Sequence, residues 1–143
     1  GSGNFSFALV KEFPKSQIIA VELSEEAVQQ AMNEIRKTNL SAKKIRFYQA
    51  DVGLFLKRIL PQNSSLVVLD PPRTGCEAGV IHTLSKWTQH RILYVSCDPA
   101  SLGRDIKLLK SLNSKWKLKK VQPLDMFPQT DHVETLVELG IDS

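Results

Sequence analysis

Two cysteines stand in the 143-residue chain, in different settings. Cys97 follows the apolar run Ile92-Leu93-Tyr94-Val95 and is flanked by Ser96 and by Asp98-Pro99, so it falls where a strand ends and a helix begins. Amide dipoles at a helix N-terminus favour a thiolate, which makes Cys97 a candidate nucleophile. Cys76 lacks that placement and reads as a small buried apolar residue. Three more strand-like runs end in polar groups: Ile18 to Val21 in Glu22, Ile45 to Ala50 in Asp51, and Leu66 to Leu69 in Asp70-Pro71-Pro72-Arg73. Ligands of open α/β sheets bind outside the carboxyl ends of the strands, so these four clusters are expected to line one crevice. Glu22 is placed to accept hydrogen bonds from the ribose of a nucleoside-containing cofactor. Its alternative use, capping the next helix, is one that Ser24 can fill. After Asp70, two prolines cannot continue a ladder, and they fix a rigid, extended exit that aims the carboxylate and brings backbone close to a planar ring. A purely structural proline turn is the alternative.

The elements around these groups follow from periodicity. Ala27, Val28, Ala31, Met32 and Ile35 repeat at three- and four-residue spacing and predict an amphipathic helix after Ser24-Glu25-Glu26. Leu54, Phe55 and Ile59 predict a short helix stopped by Pro61, Gly79 to Trp87 another, and Ser101 to Leu112 a third. The runs at Leu66 to Leu69 and Ile92 to Val95 read as strands buried on both faces. Trp116 to Val121 and His132 to Leu139 alternate, with Pro123 to Asp131 between them, which predicts an antiparallel terminal hairpin. Strands alternating with helices give an α/β fold with a mostly parallel sheet. Residues 1–143 are expected to form a single domain. Gly1-Ser2-Gly3-Asn4-Phe5 looks like the glycine turn that follows a first strand, yet no strand precedes it. Either it is a leftover of cloning or the chain is cut inside a cofactor motif.

Composition narrows the class. Forty-two per cent hydrophobic and 24% charged residues describe an ordinary globular protein. No apolar run approaches the roughly 20 residues of a membrane-spanning helix, no signal peptide opens the chain, and a cytoplasmic location is expected. Two cysteines and three scattered histidines do not make a structural metal site. The net charge of +4 is mild, but it is unevenly placed. Five basic residues and no acid lie between Arg36 and Arg46, and seven lie between Arg104 and Lys120 against Asp105 alone. Such clusters suit the phosphates of RNA, or a solvated helix face and a lysine-guarded edge strand.

Four segments together resemble the RNA 5-methyluridine (uracil-C5) methyltransferases: Gly1 to Ser6, Asp70-Pro71-Pro72-Arg73-Thr74-Gly75, Tyr94 to Asp105 (YVSCDPASLGRD) and Asp125 to Glu134 (DMFPQTDHVE). The resemblance implies a Rossmann-like class I fold, S-adenosyl-L-methionine as cofactor and an unpaired or flipped uridine in transfer or ribosomal RNA as substrate. It implies Gly1, Gly3, Asn4, Glu22, Asp51 and Asp70 as cofactor contacts, Cys97 as nucleophile and Glu134 as proton acceptor, with Asp70 orienting the ring and Arg73 assisting or touching phosphate. Carbon 5 of uracil is a weak nucleophile, and thiolate addition at carbon 6 activates it as an enolate. The family's upstream first strand, glutamine-containing cofactor motif and oligonucleotide-barrel domain do not occur in the chain. It is therefore expected to be the catalytic domain of a longer protein, weakly active or inactive alone, and completed by an upstream segment or a compensating dimer. Cytosine methylation is disfavoured because Arg73 stands where those enzymes carry a second cysteine. Amino-group methyltransferases follow the two prolines with an aromatic residue. A non-catalytic module that binds RNA or cofactor is the alternative of a different class.

Overall fold

A computed structural model describes residues 3–38, 44–59, 66–87, 91–124 and 134–141. The chain divides into two compact units, Gly1–Arg58 and Ile59–Ser143.

The first unit opens with a helix that the glycine-rich start did not announce, α1 (Asn4–Glu12). Gly3 precedes it with φ +95°, and a Cβ there would lie 3.0 Å from the rings of Phe7 and Phe47. Glycine is thus needed both for the left-handed backbone and for the close approach. Strand β1 (Ile18–Glu22) runs parallel to β2 (Ile45–Gln49), with Ile18 opposite Ile45 and Glu22 opposite Gln49. Between them α2 (Glu25–Thr38) buries Val28, Ala31 and Ile35, the stripe expected from the sequence, and exposes its charged face. Ser24 caps it as foreseen, its Oγ accepting from the Ala27 amide at 3.3 Å. Val10, Ile35 and Ile45 form the buried centre, with Phe7, Ile18 and Phe47 against it. The unit closes with α3 (Val52–Arg58); Pro61, expected to stop it, lies outside the described residues.

The second unit contains β3 (Leu66–Leu69), α4 (Ala78–Leu84), β4 (Arg91–Ser96), α5 (Pro99–Leu112), β5 (Trp116–Leu124) and β6 (Glu134–Ile141). Its sheet has the order β3-β4-β6-β5, with β3 parallel to β4 and β6 antiparallel to both β4 and β5. The antiparallel hairpin is therefore present; most of its connection, residues 125–133, lies outside the described residues. Trp116 is fully buried, and its indole N–H donates to the Ser85 carbonyl at 3.4 Å. Tyr94, Ile92, Leu109, Val137 and Leu139 complete the interior.

The described strands form an α/β fold with a parallel pair, β1-β2, and a four-stranded sheet with the terminal antiparallel hairpin. One expectation needs correction: strand β3 is not buried on both faces, since only Leu69 is buried, while Leu66, Val67 and Val68 remain partly exposed. Among the described residues β3 pairs with β4 alone. Strand β5 is the opposite edge. From Lys117 to Pro123 every residue is exposed, and a bulge between Leu118 and Lys120 interrupts its register, two features that blunt edge pairing.

Candidate active site at the strand ends

In the second unit the sheet register brings three of the expected residues to one end of the sheet. Leu69 pairs with Tyr94 on the parallel strands β3 and β4, so Asp70 and Cys97 leave the same end of the sheet from neighbouring strands. Strand β6 starts at that end: Ser96 pairs with Thr135, and the register carried one residue further sets Glu134 against Cys97. Adjacent strands lie about 4.8 Å apart, so thiol and carboxylate start from neighbouring backbone positions. Cys97 is half-buried and unbridged, Glu134 half-buried and Asp70 exposed. Burial of part of its surface raises the Asp70 carboxyl above the ordinary range.

The turn that carries Cys97 is held by its own residues. Ser96 Oγ accepts from the Asp98 amide at 3.1 Å and donates to the Asp98 carbonyl at 3.0 Å. Asp98 then caps α5, accepting from the Ser101 amide at 2.7 Å, with Pro99 in the first turn. That backbone N–H is the main cause that lowers the Asp98 carboxyl, and the charge of Arg73 adds to it.

The exit from β3 is held from outside. The Gly75 amide closes a turn on the Pro72 carbonyl at 2.8 Å, and Gly75 has φ +81°. Behind it lies Asp105 of α5, 2% exposed, which the sequence reading assigned no role. Its Oδ2 accepts from the Cys76 amide at 2.7 Å and from the Tyr94 hydroxyl at 2.6 Å. Its Oδ1 accepts from Arg104 Nε at 3.0 Å and Nη2 at 2.7 Å, and Nη2 also donates to the Thr74 carbonyl at 2.8 Å. Burial pushes the Cys76 thiol up to about 11, and burial followed by the bond to Asp105 raises the Tyr94 hydroxyl. A signal for Asp105 was present: it stands three residues after Leu102 and four before Leu109, inside the apolar stripe of its helix. An acid at such a position must be paired.

In the first unit Glu22 and Asp51 sit at the carboxyl ends of neighbouring parallel strands. Glu22 accepts from the Ser24 amide at 2.8 Å. Asp51 caps α3, its Oδ1 accepting from the Leu54 amide at 2.8 Å, so one of its oxygens has a local task. Gly3 and Asn4 stand at the start of α1, while Gly1 lies outside the described residues. Carboxylate acceptors at these ends fit a ligand that presents hydroxyl and amino donors.

The sequence profile of the family described as tRNA (Uracil-5-)-methyltransferase matches residues 1–141. An uncharacterised RNA methyltransferase of Bdellovibrio bacteriovorus is 40% identical over 147 residues, covering 100% of this chain and 36% of the relative. The tRNA (uracil(54)-C(5))-methyltransferase of Schizosaccharomyces pombe is 33% identical over 141 residues, covering 97% of this chain and 26% of its own length. Among solved structures, the Pyrococcus abyssi tRNA (uracil-54, C5)-methyltransferase in complex with S-adenosyl-L-homocysteine superposes with a TM-score of 0.79 at 27% identity, over 97% of this chain and 32% of that one. The chain thus spans about a third of the length of the relatives it matches. With a profile match over nearly all of its residues, this chain belongs to the tRNA (uracil-5-)-methyltransferase family.

Proposed function

We propose that the chain carries the catalytic residues for S-adenosyl-L-methionine-dependent methylation of carbon 5 of a uridine in transfer or ribosomal RNA. The register that sets Glu134 against Cys97 beside the Asp70 exit carries this reading, because the reaction needs a thiolate and a carboxylate at one pyrimidine ring. When bound, S-adenosyl-L-methionine supplies a methyl group on a sulfonium, and Asn4, Glu22 and Asp51 are the residues of the first unit that would hold it, with Gly3 allowing close backbone approach.

The Cys97 thiolate adds to carbon 6 of the uracil; the carbon 5–carbon 6 π electrons move toward the carbon 4 carbonyl and leave an enolate. Carbon 5 then accepts the methyl group. Glu134 takes the proton from carbon 5, and the returning double bond expels the Cys97 thiolate, which restores the protein. Asp70, held by the two prolines, orients the polar edge of the ring, and Arg73 stands by the Cys97 turn to meet an oxyanion or phosphate. An unpaired or flipped base is required, because a stacked one could not present carbon 6 to a sulfur. Exposed Lys117, Lys119 and Lys120 on β5 offer charge to an RNA backbone.

The test is covalent trapping by the complete protein that contains the chain. RNA bearing 5-fluorouridine cannot lose a proton at carbon 5, so a stable protein–RNA adduct is expected on a denaturing gel. Cys97→Ala abolishes it. Glu134→Gln is expected to accumulate a methylated adduct even with ordinary uridine. An adduct that survives Cys97→Ala, or none with the unaltered protein, overturns the proposal; affinity for RNA or cofactor without transfer would instead mark a binding module.

A further inference from the structure

We infer that Asp105 is a positioning residue that locks the Asp70–Arg73 exit to the Cys97 strand, and so sets where the uracil sits. The inference rests on the proposed reading of Asp70, Arg73 and Cys97. Asp105 belongs to α5, yet its carboxylate serves two other elements. One oxygen takes the Cys76 amide from the β3 exit and the Tyr94 hydroxyl from β4, three residues before Cys97. The other takes both donors of Arg104, whose Nη2 reaches on to the Thr74 carbonyl. The segment Thr74–Cys76 is therefore tied at two backbone positions, immediately after Arg73.

The fit is close. A Cβ on Gly75 would lie 2.5 Å from Arg104 Nη2 and 2.7 Å from Asp105 Oδ2, so the turn rests directly on the ion pair. Because Tyr94 and Cys76 share one carboxylate oxygen, the two strand exits cannot shift independently without losing a buried hydrogen bond. A buried carboxylate that only stabilised the fold could be satisfied within its own helix and strand. This one accepts from the segment that follows Arg73, and the charge of Arg73 in turn reaches Asp98 beside the candidate nucleophile. In this arrangement Asp105 touches neither base nor methyl donor, and acts through Asp70 and Arg73.

The test uses Asp105→Asn and Tyr94→Phe in the complete protein, each alone and on an Arg73→Ala background. Single-turnover methyl transfer to transfer RNA and ribosomal RNA transcripts is the readout, alongside calorimetric affinity for S-adenosyl-L-methionine. Asp105→Asn is expected to slow transfer about 10- to 100-fold, and Tyr94→Phe about 3- to 10-fold, the scale of an ångström-sized misplacement. Affinity for the methyl donor stays within about twofold, which a general loosening of the fold would not allow. On the Arg73→Ala background both losses shrink by at least about threefold, because one of the two residues being positioned is already gone. A folded Asp105→Asn protein with near wild-type transfer, or losses that multiply unchanged on that background, overturns the inference. If Asp105→Asn does not fold, Tyr94→Phe decides by the same criteria. Wild-type protein that makes no 5-methyluridine overturns the uracil reading and this inference together; wild-type transfer with an indifferent Asp105→Asn overturns the inference alone.

Discussion

The exits from β3 and β4 lie side by side and are built in opposite ways. After β4, the side-chain bonds that fix the turn come from residues close by in the chain: Ser96 brackets Asp98, and Asp98 caps the helix. After β3, one bond is local, from the Gly75 amide to the Pro72 carbonyl, and the others come from Arg104 and Asp105, 30 and 29 residues beyond their partners, with Tyr94 sharing the Asp105 carboxylate. The first turn is a local device that tolerates the loss of one member. The second depends on a single buried carboxylate, and removing that leaves two strand exits without a common anchor. A candidate nucleophile thus rests on a self-supporting turn, while the residues read as orienting the base are held by a long-range clamp.

The contrast can be broken at several points. The largest effect is expected from Asp105→Ala, which strands the Tyr94 hydroxyl and the Cys76 amide and costs about 2–6 kcal/mol, at about 1–3 kcal/mol per unsatisfied buried group. Denaturant titration should show the lower midpoint; an unchanged midpoint would mean the clamp is not structural at all. Next comes the difference between the two thiols. With its thiol at about 11, Cys76 is ionised to about one part in a thousand at pH 8, so in a Cys97→Ala protein it should be alkylated by iodoacetamide about 100-fold more slowly than a free thiol. Mass spectrometry follows the rate, which should climb steadily as pH approaches 11; fast labelling at pH 8 would show that the β3 exit opens readily.

The smallest effect is expected at Asp98. Its carboxyl is lowered by the Ser101 amide, so its contribution is fully present above the ordinary aspartate value of about 3.9 and is lost as pH falls through the lower folded value. Asp98→Ala should lower the melting temperature by a few degrees at pH 7, and the difference from wild type should close in strong acid. A constant difference at all pH values would show that the side chain acts by packing rather than by charge.

Much of this molecule was readable before its fold was known. Continuous apolar runs marked β3 and β4, three- and four-residue spacing marked α2 and α5, and Ser24 and the acids of the next turn announced the start of α2. Helix α1 was not foreseen, because Gly1-Ser2-Gly3 masked its start and its apolar residues fall on no clean stripe. Asp51 was grouped with the ligand-facing acids, although one of its oxygens caps α3, since the two uses have the same sequence signature.

The order of elements from β1 onward, the polar groups that end the strands and the self-capped turn at Cys97 were determined by the sequence alone, because each rests on interactions within a few residues. Only the tertiary structure decided that β6 begins beside the end of β4 that leads into Cys97, and that Asp105 bonds to Cys76 and Tyr94. Those pairings depend on strand order and on how a helix packs across a sheet. Separation along the chain carries no record of either until the hydrophobic faces have chosen their partners.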